Sequence, residues 1–154
     1  MKQTTLCLLV KDDEILLAMK KRGFGVGKWN GYGGKLEAGE TLELAAVRET
    51  KEEIGVELNA NDLMLLGRME FYFEDNADWN LIVNLFRVEK WAGEAIETEE
   101  MRPQWFKISD LPFDQMWLED KEWMPLFLAK KKFTGEFYYN KDATAINKFE
   151  LREI

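Results

Sequence analysis

Between residues 31 and 55 the chain passes from one extreme of backbone behaviour to the other. Gly31-Tyr32-Gly33-Gly34-Lys35-Leu36-Glu37-Ala38-Gly39-Glu40 carries four glycines in nine positions. Thr41 to Ile54 then contains no Gly or Pro and is rich in Leu, Ala, Glu, Lys and Arg, before Gly55 supplies a stop. The second stretch predicts a helix with Glu40 or Thr41 at its start. The first is a loop that lets backbone groups approach a ligand or a neighbouring strand closely. A glycine-rich loop feeding a helix, with strand-like segments on either side, points to a sheet packed against helices.

Those segments are 4–10 and 14–19, separated by Lys11-Asp12-Asp13 and read as a hairpin, then 63–73 and 80–88 around a polar turn, 104–108, 133–139 and 146–152. A second helix is expected within Leu118 to Lys131, where Trp123, Leu126, Phe127 and Ala129 recur at helical spacing. The expected class is α+β, an α/β/α sandwich with a mixed sheet between two main helices, formed as a single domain over residues 1–154. No apolar run nears the about 20 residues of a membrane span, and the first residues lack a signal-peptide pattern, so the expectation is a cytoplasmic monomer without a membrane partner.

The chain has no histidine, which removes the commonest general base and most zinc and haem sites. Carboxylates, lysines and hard metal ions remain. The one cysteine, Cys7, lies in an apolar strand and reads as core. Twenty-nine acids against 21 bases give a net charge of −8, which disfavours nucleic acid as a partner but leaves room for a small phosphorylated ligand whose charge a cation offsets.

At 100° per residue, Glu49, Glu52 and Glu53 share one arc of the first helix, with Leu44, Val47 and Ile54 opposite. The apolar side is expected on the sheet and the glutamates away from it. Glu49 and Glu53 repel at i,i+4, and Arg48 offsets one charge at most, so oxygen-bound divalent cations are the expected remainder of the balance. An E-x-x-E-E helix alone is an ordinary solvated face; the glycine-rich approach and Lys35, a point charge for a phosphate, point to a ligand instead.

Gly34, Glu40, Arg48-Glu49, Glu52-Glu53, Gly55 and Val56 resemble the Nudix box, G-x5-E-x7-R-E-U-x-E-E-x-G-U with U apolar. Only Thr50 departs, at the first U. The resemblance implies the Nudix fold and hydrolysis of a nucleoside diphosphate linked to another group, with Mg²⁺, or Mn²⁺, as cofactor. By position it implies Glu53 and Glu49 as metal ligands, Glu52 and the Gly33 carbonyl in support, Arg48 orienting the glutamates, and Glu49 or Glu100 as general base, with Glu100 also a possible ligand.

Further segments resemble the oxidised purine nucleoside triphosphatase subfamily: Lys20-Lys21-Arg22-Gly23-Phe24-Gly25, Trp29-Asn30-Gly31, Glu100-Met101-Arg102-Pro103, Met116-Trp117, Trp123, Lys130 to Phe133 and Leu151-Arg152-Glu153. They imply Trp117 as a stacking platform, walls from Phe24, Phe71, Phe73 and Leu81, and edge contacts from Asn30 and Thr5. Lys20 and Lys35 are the phosphate candidates. Glu119-Asp120 stands where the subfamily has two aspartates, and such a pair shares a proton. The implied substrates are oxidised purine nucleotides such as 8-oxo-dGTP and 2-hydroxy-dATP. Another nucleotide remains the alternative within the family, and a non-catalytic nucleotide-binding module the alternative outside it.

Overall fold

The structure is a computed structural model that describes residues 1–154. Its elements, in order, are β1 (Lys2–Lys11), β2 (Glu14–Lys20), β3 (Trp29–Asn30), α1 (Leu42–Ile54), β4 (Leu63–Phe73), β5 (Leu81–Val88), β6 (Met101–Lys107), α2 (Asp120–Leu128), β7 (Phe133–Tyr139) and β8 (Ile146–Glu153). The strands form one sheet in the order β3-β2-β1-β5-β4-β7-β8, with β6 also on β2. The sheet is mixed: β1 with β5 and β4 with β7 are parallel, the other pairs antiparallel.

Strand alternation sorts the core into two layers. In β1, Leu8 and Val10 join a 17-residue cluster with Trp123, Met124 and Phe127 of α2. Cys7 and Leu9 point the other way, into a 12-residue cluster with Ala46 and Ile54 of α1. Each helix therefore covers one face of the sheet, and each large side chain sealed there, such as Phe127, contributes roughly 1.5 to 3 kcal/mol. Cys7 is fully buried, and burial pushes its thiol up to about 12.

The predicted hairpin forms only at its turn. β2 pairs with β1 from Leu9↔Leu16 to Lys11↔Glu14 and then diverges toward β3 and β6. The glycine loop takes its place beside β1: Cys7 N donates to Tyr32 O at 2.7 Å, Tyr32 N to Cys7 O at 3.2 Å, and Thr5 N to Gly34 O at 2.9 Å. A Cβ on Gly31 would stand 2.5 Å from the Cys7 carbonyl oxygen, and one on Gly33 would stand 1.8 Å from that of Thr5. The glycines are there because the loop replaces a strand at closer range than a side chain permits.

Candidate active site

The helix that follows the loop is fixed at both ends. Thr41 accepts from Leu44 N at 3.1 Å, and Gly55 turns into the left-handed region at φ 72°. Its packing face differs from the one expected. The buried residues are Ala45, Ala46, Thr50 and Ile54, while Leu44 is 52% exposed. Small side chains bring α1 close to the sheet, and the arc they mark includes Glu49 and Glu53. Those two carboxylates face inward rather than away from the core, and only Glu52 points to solvent, its side chain 59% exposed against 16% for Glu49.

Each inward carboxylate is held. Glu53 accepts from Gly33 N at 2.9 Å. Arg48 donates to both oxygens of Glu40, at 2.8 and 2.9 Å, and to Glu49 at 2.8 Å, Glu52 at 3.4 Å and the Lys35 carbonyl at 3.1 Å. The guanidinium, helped by the Glu37 N–H, holds the Glu40 carboxyl down at about 2. It thereby ties the helix to the loop and aims Glu49. Burial, reinforced by the charges of Glu49 and Glu100, pushes Glu53 up to about 7 against the pull of the Gly33 N–H and Lys20.

Glu49, Glu52, Glu53, Thr98, Glu99, Glu100 and Arg22 line a pocket of about 510 Å³ without one hydrophobic wall. Glu100 pairs with Arg22, which lowers its carboxyl below the ordinary value. No three acidic side chains converge on one point, since Glu49 and Glu52 turn to Arg48. Five carboxylates around one arginine, one of them half-neutralised by burial, nevertheless form a donor set suited to a hard cation. The Gly33 carbonyl, which accepts no backbone hydrogen bond, adds a neutral oxygen. Lys35 is exposed and lines neither this pocket nor the next one, so the structure does not bring it to the carboxylates.

Glu53 also lines a second cavity of about 220 Å³, reached past Lys20. All nine residues assigned to a base slot meet there: Thr5, Phe24, Asn30, Phe71, Phe73, Leu81, Trp117, Glu119 and Asp120. Phe24 lies 49% exposed at the mouth, its ring 5.2 Å from Trp117 and 5.3 Å from Trp79. Asn30 Oδ1 is taken by Gly31 N at 2.8 Å, leaving the amide N–H groups to donate. One buried polar atom in this lining, Thr5 Oγ1, has no partner in the protein, while the Asp120 carboxyl faces the Trp123 indole N–H. Buried polar atoms without partners cost about 1 to 3 kcal/mol each, and a polar ligand recovers it.

The model of the NUDIX domain matches residues 1–127. The chain belongs to the Nudix family. It is 49% identical over 138 residues to the oxidized purine nucleoside triphosphate hydrolase of Danio rerio, covering 90% of this chain and 86% of that protein. It is 43% identical over 150 residues to the protein of the same name from Mus musculus, covering 97% and 94%. Among solved structures, the MutT protein from Bacillus halodurans superimposes with a TM-score of 0.86 at 26% identity, over 98% of this chain and 97% of that one.

Within this Nudix chain the box residue that departs, Thr50, is fully buried with its hydroxyl against the Cys7 thiol. Residues not assigned to the base slot also line this cavity, among them Met69, Met101, Trp123 and Tyr139. Tyr139 donates its hydroxyl to Glu119 Oε1. Its signal was present in β7, where Phe133, Gly135, Phe137 and Tyr139 alternate as the buried face: a tyrosine on such a face needs a polar partner.

Glu119 and Asp120 are 6% and 2% exposed, and their carboxyls lie within hydrogen-bonding reach of each other. Burial pushes Glu119 up to about 6, and burial with the charge of Glu119 pushes Asp120 well above its ordinary value. A carboxyl raised on folding stabilises most below its unfolded value and loses that contribution as pH rises through the folded one. Glu119→Gln, which keeps an acceptor for Tyr139 without the charge, is expected to exceed the native chain in unfolding free energy by about 2 kcal/mol near pH 8 and to match it near pH 4. Thermal unfolding in metal-free buffer at the two pH values measures this; a gain that persists at the lower pH contradicts it.

Proposed function

We propose that this Nudix protein is a divalent-metal-dependent pyrophosphohydrolase that converts oxidised purine nucleoside triphosphates, such as 8-oxo-dGTP and 2-hydroxy-dATP, to the monophosphate and pyrophosphate. The observation that carries this reading is the junction at Glu53, where an aromatic slot with a buried acid pair opens into a pocket lined by carboxylates. A purine seated against Trp117, with its edge at Asn30, Glu119 and Asp120, directs its phosphates past Lys20 toward α1. Stacking of this kind contributes about 1 to 3 kcal/mol per base.

Mg²⁺ is the proposed cofactor, with Mn²⁺ as a substitute, held by Glu53 and Glu49 with Glu52, Glu100 and the Gly33 carbonyl in reach. When bound, such an ion lowers the pKa of a water and offsets charge that develops on phosphate oxygens. The chain's own residues do the remainder. Arg48 orients Glu49 through its short ion pair, and the Gly33 N–H fixes Glu53. Glu100 is paired with Arg22 as Glu49 is with Arg48, and these two carboxylates are the proposed alternatives for the base. The enzyme is proposed to act as a cytoplasmic monomer on free nucleotides, in keeping with the net charge of −8 and with the absence of any helix long and apolar enough to cross a membrane.

Product analysis tests the reaction. Incubation of 8-oxo-dGTP with the protein and Mg²⁺ is expected to release pyrophosphate and the nucleoside monophosphate, and chelation of the metal to stop it. Release of orthophosphate, or full activity in excess chelator, contradicts the assignment.

A further inference from the structure

The carboxyl of Glu119 meets the hydroxyl of Tyr139. Tyr139 stands at the end of β7, 1% exposed, with its ring stacked on Phe73 at 5.4 Å and edge-on to Trp117 at 6.0 Å. The hydroxyl therefore approaches the acid pair from a ring that cannot turn away. Burial and the nearby charge of Glu119 push that hydroxyl well above its ordinary value, so it stays a neutral donor.

We infer that Tyr139 is a specificity-setting positioning residue: by donating to Glu119 it fixes the shared proton of the pair on Asp120 and so imposes one order of donor and acceptor on the purine edge. The inference rests on the reading of the cavity as a purine slot. Two adjacent carboxyls in contact hold one proton between them. With no third group present, that proton can sit on either, and the pair offers donor-acceptor in both orders. The Tyr139 O–H removes the symmetry. It bonds more strongly to an ionised Glu119 than to the carbonyl oxygen of a protonated one, and so favours the state in which Asp120 carries the proton. Lys28, whose ammonium lies 5.2 Å from the Trp117 ring, is the one cation that acts on Glu119, and it favours the same state. On the other side, Asp120 is buried in the cavity lining beside Trp123, where a base edge can meet it.

The order matters because purines divide on it. A 6-oxopurine presents an acceptor at position 6, and a 6-aminopurine a donor there. 8-Oxoguanine belongs to the first class and 2-hydroxyadenine to the second. A pair with a mobile proton serves both classes, whereas a pair with the proton fixed serves one well and meets the other with a mismatch. This chain is thus built to separate the two classes more sharply than a pair of free aspartates would.

The test compares kcat/KM for 8-oxo-dGTP and 2-hydroxy-dATP in the native chain, in Tyr139→Phe, in Glu119→Asp and in the double variant. Tyr139→Phe keeps the ring and its stacking and deletes only the hydroxyl. Glu119→Asp withdraws the carboxylate by one methylene. The native chain is expected to separate the two substrates by about tenfold or more, the equivalent of one mismatched hydrogen bond, and each single variant to bring them within about threefold. The double variant adds nothing further, because both changes break the same bond. A loss of mere packing would lower both rates together and leave the ratio alone. If the native ratio lies within about twofold of unity, or Tyr139→Phe leaves it unchanged, the role assigned to Tyr139 is wrong. If instead the native chain prefers neither modified purine over dGTP and dATP, the purine-slot reading itself has failed, and the inference goes with it.

Discussion

Glu53→Gln is expected to abolish nucleotide hydrolysis, by about 10³-fold or more in kcat, while the protein stays folded. The change is nearly isosteric, and the glutamine oxygen can still accept from Gly33 N, which now donates to Glu53 at 2.9 Å. What disappears is the charge proposed to bind the cation at the junction of the two cavities. Loss of a metal's contribution to charge stabilisation is a matter of several kcal/mol, and about 4 kcal/mol corresponds to the stated factor. The stability effect has the opposite sign. Glu53 is pushed up to about 7, so the native chain without metal loses stability as pH rises from its unfolded value of 4.5 through about 7. The neutral variant escapes that loss, and above neutral pH it is expected to melt at a temperature equal to or above the native one. Activity lost together with stability gained separates a missing ligand from a damaged fold. Hydrolysis within a few fold of native under saturating Mg²⁺ would remove Glu53 from the site.

Gly33→Ala carries the second large effect, for reasons of space alone. The added methyl would lie 1.8 Å from the Thr5 carbonyl oxygen, 2.6 Å from its carbon and 2.9 Å from Leu6 Cα. All three are backbone atoms of β1, which pairs along its other edge with β5 and cannot yield. The loop must leave the strand, taking with it the Gly33 N–H that holds Glu53 and the floor that Thr5 gives the base cavity. Overpacking usually costs about 1 to 3 kcal/mol, and a clash against backbone belongs at or above the upper end. A fall of about 3 kcal/mol in denaturant unfolding, with activity reduced by about 100-fold or more, is expected. Gly39 is the control: it has φ +83° but nothing within 4 Å of a Cβ, so Gly39→Ala should cost only the left-handed strain of about 1 to 2 kcal/mol and spare activity. Equal effects at the two positions would contradict the close-packed loop.

How much of this was legible in the sequence varies with the kind of signal. The ends of α1 were, because Thr41 and Gly55 act through local backbone geometry that needs no tertiary partner. The segments read as strands formed strands, since alternation and β-branched or aromatic content are also local. The orientation of α1 was not. A helical wheel ranks faces by hydrophobicity, and here the face on the sheet is made of Ala45, Ala46 and Thr50, with Glu49 and Glu53 turned inward beside it. A site that binds charge inverts the usual rule at the residues that matter most. The two-residue strand β3 was too short to carry a period. Lys35 was offered for phosphate because it sits in the glycine loop, but that loop runs as a strand against β1 and sends the side chain out to solvent. Tyr139 was missed because its role depends on what faces it across the cavity, which no spacing along the chain records.

The most direct test of the central claim is the initial rate of hydrolysis of 8-oxo-dGTP against that of dGTP under identical Mg²⁺ and subsaturating substrate. If an aromatic slot with a buried acid pair delivers modified purine nucleotides to the carboxylates of α1, the oxidised nucleotide is expected to be cleaved faster by about tenfold or more in kcat/KM. Equal rates for the two nucleotides, or a faster rate for dGTP, would contradict it.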